Sequence, residues 1–190
     1  MLKENKIISV LTIENSTLAL DLVKCLFDSG IRNLEITLRT KEAKKATELI
    51  INTNLDFNIG IGTVLTFDDL YFAKDIGADF ALSPCTDIEL IKESFKIDFK
   101  YIPGVSTSSD INTAIKLGCK VLKLFPTIQL GGLSYFKSIH SPYKSSELNF
   151  IALGGINDEN AKDFIKNDHF VGVGASWIAS NELIKNKDWK

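Results

Sequence analysis

Asn33-Leu34-Glu35-Ile36-Thr37-Leu38-Arg39-Thr40 alternates between polar and apolar side chains as far as Arg39. Successive side chains of a strand point to opposite faces, so Leu34, Ile36 and Leu38 share one face and Glu35, Thr37 and Arg39 the other. The leucine face suits packing on helices. The opposite face carries two charges into whatever lies across the sheet, and charges entering an interior are costly unless paired or used.

The rest of the chain repeats this unit. Short apolar runs fall at residues 7–12, 33–37, 57–61, 79–82, 99–102, 120–124, 149–153 and 170–173. Helix-like segments separate them. Ser16 stands where it would cap residues 17–28, whose Leu18, Leu22, Cys25 and Leu26 form a helical stripe. Thr66-Phe67-Asp68-Asp69 and Thr107-Ser108-Ser109-Asp110 have capping-box spacing, and Gly30, Gly77 and Gly118 mark helix ends. Eight strand–helix units imply parallel strands joined by crossover helices. The expected fold is an α/β TIM (β/α)8 barrel occupying residues 1–190 as one domain. An open doubly wound sheet fits less well: Gly60-Ile61-Gly62 is only a fragment of a dinucleotide turn, lacking a third glycine. The few residues after the last run, ending Asn186-Lys187-Asp188-Trp189-Lys190, predict a short or truncated closing helix and under-covered strand surface.

Composition narrows the function classes. Of 190 residues, 45% are hydrophobic and 24% charged, a soluble globular balance. The net charge is -2 and Lys and Arg are scattered, which argues against a nucleic-acid or acidic-membrane partner. No apolar run reaches the length of a membrane span. Met1-Leu2-Lys3-Glu4-Asn5-Lys6 runs into the first strand without the pattern of a signal peptide, and Cys25, Cys85 and Cys119 lie far apart. Both features point to a reducing cytoplasm. His140 and His169 are isolated from any ligand cluster, so neither a protein-bound metal nor another cofactor is expected.

In a parallel barrel, chemistry gathers at the C-terminal strand ends. Lys123 lies there, inside Val121-Leu122-Lys123-Leu124-Phe125-Pro126. Taken alone, such a lysine more often snorkels to water or pairs with one carboxylate. The sharper reading follows from burial, which disfavours an unpartnered ammonium and leaves a nucleophilic amine able to form a Schiff base with a carbonyl. Glu35 and Arg39 admit two readings, a structural ion pair at the mouth or a proton carrier and an anion binder. Gly62-Thr63, Ser83-Pro84 and Pro103-Gly104 follow further strands. Gly154-Gly155-Ile156-Asn157, expected to open a helix, and Gly174-Ala175-Ser176 follow the last two, where such barrels bind phosphate. The combination suggests Schiff-base chemistry on a keto acid with a distal phosphate. Arg39 and Thr63 would hold its carboxylate.

These segments, with Gly60-Ile61-Gly62-Thr63-Val64-Leu65, Phe80-Ala81-Leu82-Ser83-Pro84, Ile102-Pro103-Gly104-Val105-Ser106-Thr107 and Gly174-Ala175-Ser176-Trp177, run in order through nearly the whole chain. Together they resemble the 2-keto-3-deoxy-6-phosphogluconate (KDPG) and 4-hydroxy-2-oxoglutarate aldolase family. The resemblance implies a metal-independent, homotrimeric (β/α)8 class I aldolase of Entner-Doudoroff carbohydrate metabolism, acting on a small phosphorylated keto acid. It implies Lys123 as Schiff-base lysine, Glu35 as acid/base, and Arg39 and Thr63 at the pyruvate carboxylate. Pro84, Phe125 and Leu153 would line the substrate, and Gly154, Gly155, Gly174, Ala175 and Ser176 would bind phosphate. Leu153 stands where family members often carry threonine, which removes a hydroxyl and relaxes stereochemical discrimination. Cys85 and Thr127-Ile128-Gln129 also depart from the family pattern. Two alternatives are a phosphate-sugar isomerase or epimerase on the same fold and a truncated, non-catalytic phosphate-binding barrel.

Overall fold

Every strand pairs in parallel, in the spatial order β5-β4-β3-β2-β1-β9-β8-β7-β6. The chain, a computed structural model describing residue 2 and residues 5–188, runs β1 (Ile7–Leu11), α1 (Ala19–Asp28), β2 (Asn33–Thr37), α2 (Ala43–Ile51), β3 (Asn58–Gly62), α3 (Phe67–Asp75), β4 (Phe80–Leu82), α4 (Ile88–Lys96), β5 (Tyr101–Ile102) and β6 (Gly104–Val105). It continues through α5 (Ser108–Lys116), β7 (Val121–Leu124), α6 (Gly132–His140), β8 (Asn149–Ala152), α7 (Ala161–Ile165), β9 (Phe170–Ala175) and α8 (Asn181–Asn186).

The sheet's two ends are halves of one stave. β5 and β6 are separated only by Pro103, which has no N–H to give a ladder. Hydrogen bonds continue past it: Ser83 N–H donates to Ile102 O at 3.1 Å, and Lys123 N–H to Pro103 O at 2.9 Å. The eight expected runs are therefore eight barrel staves, one of them interrupted. The fifth extends past the expected 99–102, so Gly104 lies within it rather than beyond it.

The two faces of the staves build two apolar regions. Leu34, Ile36, Ile59, Ile61 and Val173 face the helices in a large shell. Ile8, Phe80, Leu82, Ile102, Ile151 and Leu153 fill the lumen, with Leu2 and Val10 packed against them. The expected alternation in β2 is borne out, with the polar face inward.

Local signals fared unevenly. Thr66 and Thr107 cap α3 and α5, and Thr107 forms a reciprocal box with Asp110. Gly30, Gly77 and Gly118 adopt φ of 85°, 81° and 89° at helix ends. Ser16 is not a cap. Asn15 accepts from Thr17 N–H at 3.0 Å at the head of a short 3-10 turn, and Ser16 Oγ instead donates to Glu42 at 2.5 Å. Both side chains can cap, and the tertiary contact to Glu42 decides between them. The last helix, α8, is short, as expected. Yet Leu11, Phe170, Val173 and Ala175 are fully buried, so the strands beside it are not under-covered. What remains is a groove of about 240 Å³ lined by Leu22, Leu26, Ile31, Ile178 and Leu183. Met1, Lys3, Glu4, Trp189 and Lys190, in the expected leader-free start and tail, lie outside the described residues. No helix among the described residues is long and apolar enough to cross a membrane.

Candidate active site

Lys123 and Glu35 meet inside the lumen. Alternation in β7 turns Leu122 and Leu124 to the shell and Lys123 inward. Its Nζ donates to Glu35 Oε1 at 3.2 Å, and both side chains are 1% exposed. The lysine is thus neither solvated nor unpartnered. The pair is asymmetric: Glu35 Oε2 is buried without a protein hydrogen bond. A buried acceptor left open this way is costly, and it is a place where a substrate hydroxyl or a water can bind. The Phe125 ring centroid lies 5.1 Å from Lys123 Nζ.

At the mouth, Arg39 Nε donates to Thr63 Oγ1 at 3.0 Å. Arg39 is exposed and Thr63 half-buried. Thr63 adopts φ 62°, a left-handed conformation that is rare for a β-branched residue. The Arg39 contact is therefore to a hydroxyl rather than to Glu35, and its remaining N–H donors can take an anion. Glu35 and Arg39 thus have separate partners, Lys123 and Thr63, rather than each other.

The β8 end turns through Gly154 and Gly155, at φ 96° and 74°. A side chain on Gly154 would strike Pro126 and one on Gly155 would strike Ile128. Gly154 O accepts from Ile128 N–H at 3.0 Å, and Gly155 O from Asn160 Nδ2 at 3.2 Å. Trans peptides set N–H opposite C=O, so the Gly155 and Ile156 N–H groups point away from those partners. The turn does not open a helix directly. Asn157 and Asn160 exchange side chain–backbone bonds at 3.0 Å, and α7 starts only at Ala161. Gly174 and Ala175, expected in a loop, are the last residues of β9, held by pairing of Gly174 with Ile8 and Ala175 with Ser9. Only Ser176 lies beyond the strand, and it is exposed.

The pattern for KDPG and KHG aldolase matches residues 1–190. This chain belongs to the KDPG and KHG aldolase family. It is 32% identical over 188 residues to the 2-dehydro-3-deoxy-phosphogluconate aldolase of Haemophilus influenzae, covering 99% of this chain and 88% of that one. It is 30% identical over 189 residues to the KHG/KDPG aldolase of Escherichia coli K12, covering 100% and 88%. The crystal structure of KDPG aldolase from Legionella pneumophila, with pyruvate captured at low pH as a covalent carbinolamine intermediate, superposes with a TM-score of 0.91 at 37% identity, covering 97% of this chain and 89% of that one. The protein is a lyase of the aldolase type.

Leu153 lies at the end of β8, and Pro84 and Cys85 lie at the end of β4. Leu153 is buried in the lumen, where its Cγ lies 2.5 Å from the position a Cβ on Gly174 would take. It therefore walls the lumen of this aldolase between β7, which carries Lys123, and β9. Pro84 backbone fills the space over Gly104, the neighbour of Lys123 in register. Cys85 is exposed, with Sγ 3.5 Å from the buried Ser83 Oγ. The loop 126–131 is tied to the end of β8 by Thr127 N–H to Leu153 O at 2.7 Å and to the end of β7 by Thr127 Oγ1 to Leu124 O at 2.7 Å. Absent from the sequence-based set is the close fit between Glu35 and Gly62, which the Gly-x-Gly alternation of β3 could have signalled.

Proposed function

We propose that this aldolase cleaves 2-dehydro-3-deoxy-6-phosphogluconate to pyruvate and glyceraldehyde 3-phosphate through a Schiff base on Lys123, and that it also accepts 4-hydroxy-2-oxoglutarate, giving pyruvate and glyoxylate. The observation that carries this reading is the buried Lys123–Glu35 pair in the lumen, where Glu35 keeps one oxygen open.

Lys123 passes a proton to Glu35, the freed amine attacks the C2 ketone to form a carbinolamine, and Glu35 returns that proton to the carbinolamine hydroxyl, which leaves as water and gives the iminium. Glu35 removes the proton of the C4 hydroxyl. The C3–C4 bond breaks, its electron pair moves into the enamine, and the aldehyde departs. Glu35 then returns a proton to C3, and water releases pyruvate and restores the amine. Arg39, with Thr63, holds the pyruvate carboxylate through the guanidinium donors left after its bond to Thr63. Pro84, Phe125 and Leu153 line the carbon chain. The N–H groups around Gly154 and Gly155, with Gly174, Ala175 and Ser176, take the phosphate. The chain works as a homotrimer in the cytoplasm, within an Entner-Doudoroff type of carbohydrate breakdown. Support for the covalent step comes from the carbinolamine held by the Legionella pneumophila relative.

Borohydride reduction in the presence of pyruvate, followed by peptide mass spectrometry, tests the mechanism. The expected result is a reduced pyruvate adduct on Lys123. A folded protein that forms no adduct would remove the Schiff base.

A further inference from the structure

β3 presents two bare positions to the lumen. Ile59 and Ile61 face the shell, so Gly60 and Gly62 face inward. Neither glycine has a left-handed φ, so the backbone does not require glycine at either place. Glycine also weakens a strand. What it offers here is space.

That space is filled from the neighbouring staves. Glu35 is the register partner of Gly60, and Gly60 of Phe80. A Cβ on Gly60 would lie 2.2 Å from Phe80 Cε2, so the phenyl ring occupies the lumen at the level of Glu35. The Glu35 side chain leans one pleat toward the strand end and lies on Gly62. A Cβ there would be 2.2 Å from Oε1, 2.7 Å from Cγ and 2.8 Å from Cδ, all below the 3.0 Å that real Cβ atoms respect. Seated so, the carboxylate gives Oε1 to Lys123 and keeps Oε2 buried and open.

The geometry points to Gly62 as a positioning residue for the acid/base carboxylate. Its missing side chain is the seat that divides the two Glu35 oxygens between the lysine and the substrate. Gly60, filled by Phe80, closes the level below and directs the carboxylate upward. This inference rests on the catalytic reading of Lys123 and Glu35.

The test compares Gly62→Ala, Glu35→Asp and the double variant by steady-state cleavage, per folded molecule. Gly62→Ala should lower kcat about 100-fold, the scale of a 1 Å misplacement, with the half-saturating substrate concentration nearly unchanged. Glu35→Asp shortens the carboxylate by one methylene and removes the closest of the three contacts, the Oε1 that would lie 2.2 Å from the new methyl, while the 2.7 Å contact to Cγ remains to be relieved by a small shift. The double variant should therefore turn over faster than Gly62→Ala alone, a rescue that general loosening of the barrel would not produce. Should Gly62→Ala fail to fold, a folded double variant supports the seat. A Gly62→Ala enzyme with wild-type kcat, a double variant no faster than the glycine variant, or two variants that both fail to fold would each overturn it. Glu35→Gln distinguishes the underlying reading: full turnover in that variant removes Glu35 from the chemistry, whatever Gly62 does.

Discussion

The lumen and the shell of this barrel are made from opposite faces of the same strands, yet they obey different rules. The shell is apolar against apolar, with Leu34, Ile36, Ile61 and Leu122 packed on the helices. In the lumen, large side chains are matched to glycines across the staves: Phe80 to Gly60, Glu35 to Gly62, and Leu153 to Gly174. The same interior holds a buried ion pair. Burial of the shell drives folding, and its requirement is hydrophobic volume of about the right shape. The lumen contributes less to stability per side chain, because desolvating Lys123 and Glu35 offsets much of their attraction. Its size-matched contacts serve to hold atoms in place.

Four experiments press on that contrast. Lys123→Met should reduce cleavage to background. Lys123→Met combined with Glu35→Leu should be equally inactive, yet at least as stable as the parent in urea unfolding. Replacing a buried pair by apolar groups is commonly neutral or stabilising by about 1–4 kcal/mol. A large loss of stability in the double variant would make the pair a structural element and erase the distinction. In the shell, Leu34→Ala should cost about 2–5 kcal/mol while leaving kcat per folded molecule unchanged. Reduced kcat at full folding would mean that shell packing sets lumen geometry.

The third experiment uses a titratable side chain of the shell. His140 is buried, stacked on Phe136 with ring centroids 5.0 Å apart and 4.4 Å from the ring of His169. Burial, then the neighbouring His169 and Lys144, hold its imidazole below the ordinary value of 6.5. The unfolded chain therefore takes up this proton first as pH falls. The stability linked to His140 is fully present above about 6.5 and is lost progressively below it. His140→Phe should flatten that part of the pH–stability curve. An unchanged slope would assign the acid sensitivity elsewhere. Smallest of the four, Thr107→Ala should cost about 1 kcal/mol in thermal or urea unfolding by removing the α5 cap. Kinetics at saturating substrate should not change.

Much of this molecule is legible one segment at a time. The alternation in β2 and the capping threonines depend on contacts within a few residues, and each stands as read. The failures share a cause. Ser16 and Asn15 are equally able to cap, and only the distant Glu42 engages Ser16. Gly174 and Ala175 look like a loop until β1 pairs with them. The Gly154-Gly155 turn reads as a helix start until the Asn157–Asn160 exchange intervenes. In the site, the inward carboxylate and the lysine within an apolar strand could be picked out singly, whereas their meeting could not.

The sequence by itself determined the number of βα units, the inward face of β2 and the presence of a lysine at the end of an apolar strand, because the strand period of 2 and the helix period of 3.6 are properties of the local chain. Only the tertiary structure decided that Glu35 reaches a lysine 88 residues away, that Pro103 splits one stave, and that Gly62 is the surface on which the carboxylate rests. Those facts depend on the register between staves and on closure of the barrel, which bring together residues that no local pattern relates.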